Sequence, residues 1–64
     1  MNIIVTDEMD NVTYEGDSEN YLFDNDNDEE LEIKLNTLDC MSVGDYIYFE
    51  NMNSEIFEIE KDED

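Results

Sequence analysis

The chain has 64 residues, of which 21 are Asp or Glu and only two are basic, Lys34 and Lys61, giving a formal net charge of −19. That length holds one domain, and folding it buries only about 60% of the chain's accessible surface, so its core must be thin. With one cysteine, Cys40, and no histidine, an internal disulfide, zinc sites and histidine acid–base catalysis are excluded.

The opening MNIIVTDEMD has no basic stretch and only a short apolar run, which predicts neither a signal peptide nor a membrane span but a soluble, cytoplasmic protein. High charge argues for disorder. Against it, the apolar residues fall in bursts rich in β-branched and aromatic types, which favour strands.

In chain order, residues 3–6 and 12–15 read as a first hairpin around the polar turn 7–11. Residues 16–20 read as loop, and Tyr21, Leu22 and Phe23 as a further apolar burst. Residues 24–32, DNDNDEELE, carry acids at six of nine positions. In ELEIKLN (30–36), Leu31, Ile33 and Leu35 alternate with Glu30, Glu32 and Lys34, which predicts a half-buried strand. Residues 37–43 fit one helical turn, capped by Asn36 or Thr37 and ended by Gly44. In DYIYFEN (45–51), Ile47 and Phe49 alternate with Tyr46, Tyr48 and Glu50. After the turn 51–54, Phe57 and Ile59 oppose Glu58 and Glu60, with Ile56 on the acidic side. The last two runs make the most secure hairpin. The expected fold is mainly β: a small antiparallel sheet or partly open barrel of four to five short strands with at most one short helical turn. Residues 1–61 form the single acidic domain and 62–64 a frayed acidic tail.

DNDNDEELE has three readings. As an EF-hand loop, Asp24, Asp26 and Asp28 fit the first ligand positions. Glu29 then stands where glycine is needed and Leu35 where a bidentate carboxylate is needed, and the residues that follow read as strand where the motif needs a helix. As a solvated loop it is ordinary, but acids also crowd the other turns and strands, so a local explanation covers too little. As part of a nucleic-acid mimic, it would extend rows of carboxylates such as Glu30 and Glu32 or Glu58 and Glu60. Alternate strand residues lie about 6.6–6.8 Å apart, comparable with successive phosphates along one DNA strand once winding is added to roughly 3.4 Å of axis per charge.

DNDNDEELE, FENMNSEIFEIEKDED and the near-absence of basic residues make the chain, along its whole length, resemble the phage-encoded DNA-mimic proteins. Within that class it is most similar to the small acidic Bacillus-phage inhibitors of the nucleoid protein HU. The resemblance implies a small, β-rich, often dimeric protein that blocks a host DNA-binding protein. The class shares no sequence motif, so candidate site residues come from the strand reading alone. The acidic partner-binding surface is expected to comprise Asp24, Asp26, Asp28, Glu29, Glu30, Glu32, Glu50, Glu55, Glu58 and Glu60. Tyr46, Tyr48, Ile47, Phe49 and Phe57 are candidate dimer or apolar contacts.

The expected partner is a basic DNA-binding host protein, best a histone-like nucleoid protein of the HU type. A restriction, CRISPR or DNA-repair enzyme is another candidate target. A rival reading is an acidic regulatory module that binds RNA polymerase or another host protein without mimicking DNA. Direct nucleic-acid binding is excluded by the sign of the charge. No catalytic constellation, metal site or cofactor motif is present in the sequence, so no enzyme is expected. A thin apolar face (Leu31, Ile33, Leu35, Ile47, Phe49, Phe57, Ile59) predicts a homodimer that would cover it.

Overall fold

Two hairpins, linked by a pair of helices, build the domain in a computed structural model that describes residues 1–63. The elements are β1 (Asn2–Thr6), β2 (Val12–Asp17), α1 (Ser18–Asp24), α2 (Glu29–Asp39), β3 (Tyr46–Glu50) and β4 (Ile56–Lys61). β1 pairs antiparallel with β2 and with β4, and β3 pairs antiparallel with β4, so the strand order is β2-β1-β4-β3. The sheet is open, with β2 and β3 at its edges, and does not close as a barrel.

Local chemistry sets both hairpin turns. The Asp7 carboxylate accepts the backbone N–H groups of Met9 and Asn11, each at 2.9 Å. Asp10 takes the left-handed conformation (φ 62°), which Asp tolerates better than most residues. Just beyond, Thr13 is skipped in the register between Val5 and Thr6, and its hydroxyl donates to the Val5 carbonyl at 3.3 Å. This bulge accentuates the twist of an edge strand. In the second turn, the Asn51 side-chain oxygen accepts from Asn53 N and Glu55 N, each at 2.9 Å, with Ser54 left-handed (φ 63°).

The middle of the chain departs from the strand expectation. Residues 30–36 lie in α2, and Leu31, Leu35 and Leu38, at 0, 5 and 0% exposure, form its buried stripe. Those positions are four and three residues apart, the spacing of one helix face. Ile33, expected beside Leu31 and Leu35, is 59% exposed. Asn36 and Thr37 sit inside α2 instead of capping a later turn; the cap is Asp28, whose Oδ1 accepts Leu31 N at 3.0 Å. Residues 18–23, expected as loop and apolar burst, form α1, capped by Asp17 Oδ1 on Glu19 N at 3.2 Å. Tyr21 is buried against Tyr14, with ring centroids 5.0 Å apart. The Tyr14 hydroxyl donates to Asp17 O at 2.7 Å, which ties the end of β2 to the start of α1.

Both helices pack on one face of the sheet. There Ile3, Val5 and Ile59 are fully buried and Phe49 nearly so, with Ile47, Phe57, Leu22 and Met41 packed around them. The cover that a second copy was expected to supply for the apolar sheet face therefore comes from the same chain. Lys61 points to this face too, and its ammonium donates to the Asp39 and Met41 carbonyls at 2.8 Å each. It thus serves the C-terminal end of α2, where positive charge is favoured. Asp62, at the start of the expected frayed tail, is held: it follows Lys61, which ends β4, and its N–H donates to Asn2 O at 2.9 Å. Asp64, the end of the expected tail, lies outside the described residues.

Candidate acidic interaction surface

The helix layer carries one display of carboxylates and the open face of the sheet another. DNDNDEELE supplies the first, and each part of it has a local reason. Asp24 ends α1, and residues 25–28 turn the chain, with Asp26 and Asn27 left-handed (φ 58° and 51°). Such backbone suits Asp and Asn, which accounts for those residue types at positions 26 and 27. Asp28 is the cap, and Glu29, Glu30 and Glu32 crowd the first turn of α2, where the helix dipole favours negative charge.

This placement corrects the phosphate-spacing argument for Glu30 and Glu32. Residues two apart on a helix point roughly 200° apart around the axis, so the pair cannot form a strand-spaced row. One objection to an EF-hand also changes, since a helix does follow the acids. Glu29 and Leu35 still stand at the positions that would need glycine and a carboxylate, Leu35 is buried in the core, and Asp28 Oδ1 is engaged as the cap. Among the described residues, no three acidic or thiol side chains are grouped to hold a metal ion.

The sheet's open face follows from alternation and register. Ile4 lies between Glu15 on β2 and Glu60 on β4, and Glu60 faces Tyr46 on β3. In the next row Thr6 lies between Val12 and Glu58, and Glu58 faces Tyr48; Ile56 and Glu50 end the pair. Glu58 and Glu60 are half-buried. Val12, Tyr46, Tyr48 and Ile56 are 59, 49, 55 and 44% exposed, so an uncovered apolar and aromatic component runs among the acids. The Tyr46 and Tyr48 rings meet edge to face with centroids 5.5 Å apart. Tyr46 beside it, then loss of water, then the Glu58 carboxylate hold the Tyr48 phenol above its ordinary range.

The ten acids expected from the sequence therefore divide. Asp24, Asp26, Asp28, Glu29, Glu30 and Glu32 belong to the helix layer and its loop, whereas Glu50, Glu58 and Glu60 belong to the open sheet face. Glu55 sits at the β3–β4 turn, where its carboxylate accepts from Asn51 Nδ2 at 3.0 Å. Tyr46 and Tyr48 are on the surface as expected. Ile47, Phe49 and Phe57 face the helices and pack in or against the core, so they are not surface contacts. The sequence reading missed Ile4, Thr6, Val12 and Glu15, which join the open face only because β1 is a central strand. Glu8, not among the candidate site residues, has a carboxylate that accepts Ile56 N at 3.1 Å, pinning the first turn to the start of β4.

Little positive charge offsets these displays. Lys61 is committed to the end of α2, and among the described residues the one ion pair within 4 Å joins the Met1 amine to Asp17 at 3.6 Å. Among the described residues no helix is long and apolar enough to cross a membrane. No protein-family model, curated protein or solved structure matches this chain.

Proposed function

We propose that this chain is a DNA-mimic inhibitor that occupies the DNA-binding surface of a basic host protein, with a histone-like nucleoid protein of the HU type as the first target to test. Linear charge density supports the reading. Without Asp64, the formal charge of −19 becomes −18 over residues 1–63, and the long axis of the molecule is 29 Å. That is one net negative charge per about 1.6 Å, against roughly 1.7 Å of axis per charge in duplex DNA. A surface built to neutralise phosphates would meet a similar field, and would be steered to it and held by ion pairing and counterion release. The protein acts by binding, without catalysis, in the cytoplasm and at the nucleoid through its partner.

The proposed complex is one to one with the DNA-binding surface, because the helices already cover the apolar face that argued for a homodimer. Competition tests the proposal. Added to a preformed complex of an HU-type protein with fluorescent duplex DNA, the chain should release the DNA at stoichiometric ratio, with affinity falling steeply as salt rises. Restriction, CRISPR and DNA-repair enzymes are the next targets for the same assay. A stable complex that leaves DNA bound would replace this reading with that of an acidic regulatory module, for which RNA polymerase is the first partner to try.

A further inference from the structure

The open face of the sheet differs from the helix layer in the company its acids keep. Around α2 the carboxylates serve the helix N-terminus and project from a surface of Asp, Glu and Asn. On the sheet they stand beside aromatic rings on a rigid, hydrogen-bonded platform. Glu58 is directly opposite Tyr48 and Glu60 directly opposite Tyr46. Side chains in such cross-strand pairs start with Cβ atoms about 4.5–5.5 Å apart, so a cation lying on either ring is within reach of the neighbouring carboxylate.

We infer that this face is the docking surface for an arginine-bearing segment of the partner, with guanidinium groups stacked on Tyr46 and Tyr48 and forked onto Glu58 and Glu60. The inference rests on the proposed function only for the partner's being basic. Charge complementarity selects the occupant. Glu15, Glu50, Glu58 and Glu60 all lie on this face with no cation among them. A second copy would set these carboxylates against their own equivalents and strip them of water without compensation. A neutral apolar partner would strand the half-buried Glu58 and Glu60 in the same way. A basic segment pairs them.

Arginine fits better than lysine. Its planar, weakly hydrated guanidinium stacks on a ring while its donors fork a carboxylate, whereas an ammonium is a compact, strongly hydrated point charge. Ile4, Val12 and Ile56, which flank the acids and rings, offer apolar surface to the methylene stems of such side chains.

A short synthetic peptide of alternating arginine and glycine, and its lysine counterpart, are the probes, titrated into the isotopically labelled full chain by NMR. The expected result is that shifts concentrate in residues 46–50 and 56–60, that the lysine peptide binds several-fold more weakly, and that Tyr46→Leu/Tyr48→Leu loses about tenfold in affinity for the arginine peptide. Both tyrosines are exposed, so the fold should survive; Glu58→Gln/Glu60→Gln is the second variant and should weaken the same peptide. Shifts confined to α1 and α2, or full affinity in both variants, would overturn the inference. So would a dimer of the free chain that Tyr46→Leu/Tyr48→Leu dissolves, because the occupant would then be a second copy. DNA displacement separates the two proposals. If the peptide seats on this face but no DNA is released from any target, the docking surface stands and the mimic reading falls. If Tyr46→Leu/Tyr48→Leu releases DNA as well as the parent chain does, the docking surface falls and the mimic reading stands.

Discussion

Leu38 and Ile33 lie on opposite sides of α2, and the contrast between them is the sharpest residue-level test of the fold. Leu38 is fully buried, so Leu38→Ala should cost about 2–5 kcal/mol, a large share of what so small a domain has. Ile33 is mostly exposed, so Ile33→Ala should change stability by less than about 0.5 kcal/mol. Urea denaturation of the two variants reads both numbers; equal and large losses would mean that residues 30–36 form the strand their alternation suggests. The tyrosines carry a pH signature. Burial pushes the Tyr21 phenol up, with Asn25 partly opposing it, and Tyr14 is raised first by loss of water and then by Asp17 and Asp24. A phenol raised in the folded state stays protonated after the unfolded chain has begun to ionise. The stability this provides is present below the ordinary phenol value of about 10 and is lost as pH climbs through the folded value. The urea midpoint should therefore fall across that alkaline window, in step with tyrosinate absorbance.

At the scale of elements, the caps of α2 are the informative contacts. Asp28→Ala should cost about 1 kcal/mol by freeing Leu31 N. Lys61→Met keeps the stem but loses both carbonyl contacts, and should cost about 1–2 kcal/mol. Thermal melts of the two variants give the comparison, and no loss from Lys61→Met would remove its role at the helix end. These contacts also explain what was legible beforehand. The hairpins could be read because turn residues and strict alternation agree at 45–61 and nearly agree at 3–15. ELEIKLN could not be settled locally, because Leu31, Ile33 and Leu35 satisfy period two while Leu31, Leu35 and Leu38 satisfy the helical period. Leu38 and a cap at Asp28 decide it, and both lie outside the seven residues that suggested a strand. The Tyr-Leu-Phe burst in α1 has strand propensity that packing against Tyr14 and α2 overrides. Of the acidic surface, the sequence exposed the amount of charge but not its division between two faces, since the division depends on which strands are central.

For the whole molecule, the same charge that attracts a partner opposes the fold. In about 0.01 M salt the screening length is roughly 30 Å, as long as the molecule, so every carboxylate feels every other; at about 1 M it is roughly 3 Å. Raising salt should therefore raise the urea midpoint of the free chain while weakening its complex with a basic protein. Parallel denaturation and binding series would show the two slopes with opposite signs, and a free chain that salt destabilises would contradict the repulsion argument. The strand order carries a different consequence. The first and last strands, β1 and β4, are neighbours at the centre of the sheet, joined in register from Ile3 with Lys61 to Thr6 with Glu58. Each hairpin can close on local contacts, but neither has a covered sheet until the two meet across nearly the full span of the chain. That docking event carries the loop-closure cost and should limit the folding rate. A circular permutant opened in the 25–28 loop between the helices, with residues 63 and 1 linked, would make all three strand pairings local and should fold faster without a change in the native sheet.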